Sequence, residues 1–484
     1  MTAMITATFS PGCESIEIVD KITERNPLPW PARTWYADGM PIDRDSNEES
    51  AEEPTGTISS SSINLANTIL GSGMLSMPNA MAALGLAFGS LVIAFSAMTS
   101  GMGLYLLSRC ARRTPGRDSS FFNVAKLTYP SAALFFDAAI AVKCFGVSIS
   151  YLIIFGDLMP EIIKAFGFEA HFLLARGFWI TFAIVALAPL AFQRRLDALK
   201  YTSFTALLAV AYLILVVVIF YFSPIRKPLP AGDVVLFRWS KDFFTHLPVF
   251  VFAFTCHQNI FSVYNEMHDN SSKQVNGVIA LSIGSACAVY QWIAILGYLT
   301  FGSKVAPNLL TMYDNGTTVT FCRLSIAILV LFSYPLQCHP ARNCLDKVIT
   351  GICHVWSKEP DFEAITDIGD DVDADMFVNE AASYSPVVHI MSPAKHISIT
   401  AGLMFFSYIV SMVVTSLDLV LSFVGSTGST CISFILPGVF YYKMHQHCGW
   451  TRMKIIAVLL AVYGAFVLVF CLGANIMRVI SGDY

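Results

Sequence analysis

The sequence predicts an all-α integral membrane protein with its helices in inverted repeats, and three observations carry that prediction. Hydrophobic residues fill 55% of the 484 positions and charged residues only 13%, with a mean hydropathy of +0.61, which is not how a soluble core reads. The apolar residues fall into long runs of membrane-crossing length. Two of those runs, the first and the sixth, are interrupted near their middles.

The chain opens with a polar stretch. Residues 1–57 hold 11 acidic and 4 basic residues and no apolar core of a signal peptide, so they read as a disordered acidic tail that keeps the amino terminus in the cytosol. The first apolar run, Ser59 to Leu84, is "SSSSINLANTILGSGMLSMPNAMAAL", with Gly71-Ser72-Gly73 halfway along. A helix entering near Ser59 reaches those glycines after about 20 Å at ~1.5 Å per residue, close to mid-membrane. Broken helix at that depth survives only where protein or a lined cavity satisfies its backbone, so the break marks a candidate binding site.

Ten further spans follow, at about Leu84 to Cys110, Ala132 to Leu158, Phe172 to Phe192, Tyr201 to Phe222, Phe243 to Met267, Val275 to Phe301, Thr318 to Gln337, Ile397 to Thr415, Leu417 to Tyr442 and Lys454 to Arg478. The transporter-sized body at 58–484 thus has eleven crossings. The arginine-dense "RCARRTPGR" after the second span places that loop in the cytosol, and the loops 193–200 and 443–454 fall on the same side. The loop 223–242, on the outward side, also holds four Lys and Arg and runs against that bias. Residues 342–395, between spans eight and nine, carry 10 acidic and 4 basic residues and read as a flexible cytoplasmic insert. Setting the tail (−7) and the insert (−6) aside from the net −4 leaves +9 on the remainder, as suits a body facing anionic lipid. The 12 cysteines sit mostly inside apolar spans with no metal-ligand spacing, so no structural disulfide is expected.

The sixth span, "FFTHLPVFVFAFTCHQNIFSVYNEM", is interrupted at Thr255 to Asn259, about as far in as the glycines of the first. Five spans separate the two, an odd number, so they cross in opposite directions. Matching interruptions in two halves of a membrane protein point to inverted repeats around a central substrate site. Free N–H groups at the half-helix beyond Gly73 can hold a carboxylate, and opened carbonyls can hold an ammonium or a cation. The candidate substrate residues are therefore Thr68, Gly71, Ser72, Gly73 and Met74 on the first span, with Phe254, Thr255, Cys256 and His257 on the sixth. A plain small-residue packing motif is the competing reading of the glycines.

Asn67 lies one turn before the glycines and can offer an amide oxygen to a monovalent cation, or else bond a neighbouring helix. Ser333, just before Pro335 in "LFSYPLQCHPAR", is a second candidate cation ligand, because the proline frees carbonyls around it. Lys143 stands in "FFDAAIAVKCFGVSISYLIIFGD", where a bare charge costs ~2.5–3.5 kcal/mol, and a structural ion pair is the expected reading ahead of a transport role. His257 can shuttle a proton or be a satisfied core histidine. Asp418, near a membrane boundary, reads as structural. No nucleotide-binding loop, zinc-protease motif, hydrolase triad or dinucleotide fingerprint occurs, so neither an enzyme nor an ATP-driven pump is expected, and no cofactor is called for.

The segments "INLANTILGSGMLSMPNAMAALG", "AFTCHQNIFSVYNEM", "SYPLQCHPARNCLD" and "FVGSTGSTCISFILPG" together resemble the amino acid/auxin permease family, also called the transmembrane amino acid transporter family. The resemblance covers Ser59 to Tyr484 and is strongest toward fungal vacuolar amino acid transporters and sodium-coupled neutral amino acid transporters. It implies a LeuT-like fold of five-plus-five inverted repeats with an eleventh helix, helices one and six broken near the midplane, and alternating access for amino acids. In sodium-coupled members the cation site uses the asparagine matching Asn67 and a threonine where this chain has Ser333. The serine keeps the oxygen but loses the methyl group, which turns the expectation from sodium toward a proton. The outward disulfide of that branch has no counterpart here, which favours the vacuolar comparison.

The reading is a secondary active amino acid transporter, proton- or sodium-coupled, with a vacuolar or lysosomal membrane favoured over the plasma membrane. Its partners are the amino acid, the coupling ion and membrane lipid, with no nucleic acid. The alternative is a membrane amino acid sensor that binds at the same site and signals through its cytoplasmic segments. The topology has a direct test in two glycosylation sequons: "NGT" at Asn315 lies outward and accepts sugar in a glycosylation-mapping experiment, whereas "NSS" at Asn270 stays bare. Sugar on Asn270 would invert the topology.

Overall fold

In a computed structural model, described over residues 56–114, 117, 119–129, 133–193, 202–223, 232–357 and 391–482, every regular element is helical; the acidic tail and most of the insert lie outside these residues. A run of 12 residues, α1 (Ile58–Ile69), is capped by Thr57, whose hydroxyl accepts from the Ser60 N–H while Ser60 answers back to the Thr57 N–H. It ends two residues before Ser72, and a second run of 12, α2 (Gly73–Leu84), begins. Gly85 then turns the chain at φ +86° into α3 (Leu86–Ala111), and only glycine fits, since a Cβ there would stand 2.9 Å from the Phe237 nitrogen.

The short α4 (Phe121–Lys126) precedes the long α5 (Ala133–Ala165), followed by α6 (Arg176–Ala191) and α7 (Thr202–Phe222). A second interrupted pair follows: α8 (Asp242–Ala253), a 3-10 turn at His257–Asn259, and α9 (Ile260–Glu266). The chain closes with α10 (Ser272–Phe301), α11 (Thr317–Ser357), α12 (Pro393–Val413), α13 (Leu417–Val424), α14 (Leu436–Met444), α15 (Arg452–Phe466) and α16 (Leu472–Ser481). Two wide π-type turns, Gly425–Ser429 and Cys431–Ile435, join α13 to α14, and a third, Val467–Cys471, joins α15 to α16.

Among the described residues nine helices are long and apolar enough to cross a membrane, and α6 is a shorter apolar helix of 16 residues. The protein is a multi-pass membrane protein. Burial sorts the helices into an interior and a rim. In α5, in the α8–α9 pair and in α13–α14, 83% of the apolar stretch is buried in protein, against 33% in α12 and 28% in α15–α16, whose apolar faces are left for lipid. Glycine sets how closely the interior helices approach. A Cβ on Gly425 would stand 1.9 Å from the Pro248 carbonyl oxygen of α8, and one on Gly146 would stand 2.0 Å from Val424, so α13 is pressed against both α8 and α5.

The two interrupted pairs lie side by side and run in opposite directions, as four contacts show. Gly73 at the start of α2 touches Ala253 at the end of α8, and Asn259 beside the start of α9 donates to Thr68 near the end of α1 at 2.8 Å. At one end of the bundle Gly56 N–H donates to the Glu266 carbonyl and His268 N–H to that of Gly56, both at 2.9 Å. At the opposite end Arg238 N–H donates to the Leu84 carbonyl at 2.7 Å, and Leu86 and Ala87 N–H to those of Val235 and Leu236 at 2.9 Å.

Three expectations need correction. The helix of the eighth span does not stop near Gln337: α11 runs on through Ser357, into the segment read as an insert. Its buried Arg342 holds that extension down by donating to the Ala191 carbonyl at 2.9 Å and to Thr400 Oγ1 at 3.2 Å. Lys143 has no ion pair among the described residues: the carboxylates of its own helix lie about 9, 21 and 27 Å away along the axis at ~1.5 Å per residue, and they pair instead with Lys347 (Asp137, 3.8 Å), Arg176 (Asp157, 2.8 Å) and Lys164 (Glu161, 2.8 Å). Ten cysteines are free thiols, but Cys448, which sits in a polar loop rather than an apolar span, is disulfide-bonded.

Asp418, by contrast, is structural. Its carboxylate, 2% exposed, accepts from Arg478 of α16 at 2.8 Å and from the Ser416 hydroxyl. Removing the cation strands a buried charge, so Arg478→Met is expected to cost about 3–5 kcal/mol of stability. Pairing it with Asp418→Asn should recover most of that loss. Thermal unfolding of the purified protein in detergent reads both, and an unchanged midpoint in Arg478→Met would show the pair to be idle.

Candidate functional site

The inner ends of α1, α2 and α8, with Thr255 of the segment that follows α8, line a small cavity of about 20 Å³. Such a volume holds about one water and no amino acid. Gly71, Ser72 and Gly73 form its wall on one side, Thr255 and Ala253 on another, and Lys143 and Tyr151 of α5 a third, with Gln337 of α11 closing it.

The backbone at this depth is accounted for from within. Tyr290 of α10, fully buried, places its hydroxyl 2.5 Å from the Ile69 carbonyl and 3.0 Å from the Ala253 carbonyl, so one proton serves the ends of both α1 and α8. The Leu70 N–H still reaches the Ala66 carbonyl, and the Gly71 N–H folds back to that of Ile69, both at 2.8 Å. The start of α2 is different. No side chain caps it, since Ser72 spends its hydroxyl as acceptor for Ser150 at 3.1 Å. The Met74 and Leu75 N–H groups make long bonds back to the Gly71 and Ser72 carbonyls, at 3.3 and 3.4 Å, so it is the positive end of the α2 dipole at Gly73, rather than a row of free N–H groups, that meets the cavity. Gly73 is fixed by contact: a Cβ on it would stand 2.9 Å from that of Ala253.

Of the residues the sequence singled out, the structure gathers Thr68, Gly71, Ser72, Gly73 and Thr255 around the cavity. Thr68 accepts from Asn259 and donates to the Asn64 carbonyl at 3.1 Å, tying the two interrupted pairs together. Met74, Phe254, Cys256 and His257 are buried but do not line it. Met74 packs in the core. The Phe254 ring meets Tyr290 edge-on at 5.1 Å, and its carbonyl accepts from Ser100 at 2.7 Å.

His257 points away from the cavity, toward α3 and the π turn Cys431–Ile435. Its Nε2 donates to the Ser100 carbonyl at 3.1 Å, which leaves Nδ1 to accept from Ser433 Oγ at 3.0 Å. Gly103 makes room, because a Cβ there would stand 2.7 Å from Nε2. This is the satisfied core histidine. Asn67 keeps Oδ1 without a hydrogen-bond partner among the described residues, whereas the Ser333 hydroxyl is spent on the Leu329 carbonyl at 2.7 Å. No hydrogen bond joins the two.

Sequence reasoning missed Tyr290, Tyr151, Gln337 and Asn259 as members of the site. Tyrosine and glutamine inside apolar spans are the only signal they gave, and nothing in a single span says which neighbour it faces.

An all-helical membrane bundle with two antiparallel interrupted helices beside a small polar cavity is the architecture of a membrane protein that handles a solute inside its helices. Residues 54–480 match the family described as transmembrane amino acid transporter protein, and the chain belongs to that family. It is 44% identical over 431 residues to vacuolar amino acid transporter 5 of Schizosaccharomyces pombe, covering 87% of this chain and 94% of that one. Vacuolar amino acid transporter 5 of Saccharomyces cerevisiae is 37% identical over 405 residues (79% and 87%). Sodium-coupled neutral amino acid transporter 7 of Homo sapiens is 25% identical over 429 residues (83% and 84%). These relatives are transporters, not enzymes.

The glycines separate by contact. A Cβ on Gly71 meets only the Tyr151 hydroxyl at 3.5 Å, ordinary contact, so Gly71→Ala should keep near-normal amino acid uptake. The larger Gly71→Val fills the cavity, and Gly73→Ala already forces α2 off α8. Both should lower uptake into vesicles about tenfold or more, the equivalent of ~1.4 kcal/mol. Normal flux in Gly73→Ala would remove the site from this position.

Proposed function

We propose that the protein is a secondary active transporter that moves amino acids by alternating access, with the substrate held between the breaks of α1–α2 and α8–α9. The carrying observation is the meeting of three half-helix ends, those of α1, α2 and α8, at a polar cavity inside the bundle, with no side chain capping the start of α2. A carboxylate suits the positive end of the α2 dipole at Gly73. An ammonium suits the Ile69 and Ala253 carbonyls, to which the Tyr290 hydroxyl donates and which it can yield.

The LeuT-like five-plus-five reading, with α1–α2 and α8–α9 as the broken first and sixth of eleven crossings, draws support from a reciprocal pairing. The segment before α1 bonds to the end of α9, and the segment before α8 bonds to the turn after α2. Two interrupted helices related by an axis in the membrane plane would make these contacts. They are also the two gates. At the α1 end Arg117 reinforces the bridge by donating to the Met267 carbonyl and, at 2.9 Å, to that of His268. Each gate rests on a few hydrogen bonds of about 0.5–1.5 kcal/mol net, so a bound substrate can shift which one opens.

A proton is the favoured coupling ion and the vacuolar membrane the favoured site, with the amino terminus in the cytosol. Asn67 brings one unpaired oxygen, no hydrogen bond joins it to Ser333, whose hydroxyl donates to the Leu329 carbonyl, and the vacuolar relatives include the 44% identical one. Uptake of labelled amino acids into proteoliposomes tests this. A pH gradient should drive flux and replacing sodium by choline at constant pH should leave it unchanged. Flux that stops in choline would restore sodium at Asn67 and Ser333, and binding without flux would replace the transporter by a sensor.

A further inference from the structure

Lys143 is the one cavity-lining charge, and the transport reading so far gives it no task. It is 3% exposed and sits mid-helix on α5, with Val147 one turn on and Tyr151 two turns on along the same cavity-facing stripe. Its ammonium has neither hydrogen bond nor ion pair among the described residues, and the three carboxylates of α5 are each paired with another cation. No Asp or Glu lines the cavity. The ionisable groups nearest it are the thiols of Cys144 and Cys256 and the imidazole of His257, whose two nitrogens are engaged elsewhere. Nor does crowding explain the residue. Gly428 allows the π turn Gly425–Ser429 to pack directly on the Lys143 backbone, where a Cβ would stand 2.8 Å from its nitrogen, so this surface is built with Lys143 in place.

An unpaired cation inside a membrane protein is costly unless something anionic meets it. The same cavity holds a second feature of that sign, the start of α2, which no side chain caps, while the unpartnered Gln337 Oε1 is a neutral acceptor that suits an amine and leaves the charge of Lys143 unbalanced. The cavity is therefore electropositive and short of one negative group. The structure assigns Lys143 as the counter-ion of the substrate carboxylate, a residue that contacts the transported amino acid and makes a free carboxylate a condition of recognition. This assignment rests on the transporter reading above.

Two variants test it, Lys143→Met and Lys143→Gln, each in proteoliposomes against the unmodified protein. Inhibition of labelled amino acid uptake is compared for an unlabelled amino acid and for its carboxamide, which keeps the amine and side chain and loses the negative charge. The unmodified protein should prefer the acid by about tenfold or more, ~1.4 kcal/mol. In both variants the preference should collapse and KM for the acid should rise by a similar factor. Because an unpaired charge is being removed, thermal midpoints without substrate should hold or rise, which a structural ion pair would not allow. A retained acid preference with unchanged KM would overturn the assignment, as would a lowered midpoint in both variants. If the unmodified protein neither binds nor transports any amino acid, the transporter reading itself falls, and this assignment with it.

Discussion

One hydroxyl proton, that of Tyr290, is shared by two helix-ending carbonyl groups, that of Ala253 and that of Ile69, which otherwise has only the Gly71 N–H. Ile69 and Ala253 end their helices deep in the bundle, where an unsatisfied backbone group costs several kcal/mol. The interruption of α1–α2 and that of α8–α9 are thus held by a residue on neither. That dependence explains why the two breaks must be neighbours: one tyrosine can reach both only if Gly73 lets α2 lie against Ala253.

Close approach recurs through the interior for the same reason. Gly425 against the Pro248 carbonyl and Gly103 against the His257 ring bring the π turn after α13, and α3, onto the interrupted pair, and Gly146 against Val424 brings α5 onto α13. Lipid offers no hydrophobic gain for helix association, so tight van der Waals contact and internal hydrogen bonds have to supply it. His257 shows how the two combine, since its two bonds to Ser100 and Ser433 clamp the α8–α9 break between α3 and the π turn Cys431–Ile435. The π turns widen the path from α13 to α14 and keep Gly425 and Gly428 in register with both neighbours.

The result is a centre too small for cargo, bounded by two sets of backbone bonds. Such a centre is polar and carries an excess of positive charge from Lys143 and the start of α2.

How much of this could be read from the chain alone follows from what hydropathy measures. Transfer free energies add residue by residue along one segment, so the membrane-spanning helices, the polar tail and the Gly71-Ser72-Gly73 break were legible without any neighbour. The odd spacing between that break and Thr255 to Asn259 was legible too, because direction across a membrane is counted, not folded. Partnership was not. Whether Lys143 met a carboxylate depended on which segments packed against its face of α5, and whether His257 faced the cavity depended on α3 and Ser433. The end of α11 turned on Arg342 finding carbonyls of another helix. Sequence determined which segments enter the membrane and where two of them break, since those are local sums of polarity. Tertiary structure alone decided which side chains share the cavity, since that is set by the rotation and contact distance of helices far apart in the chain.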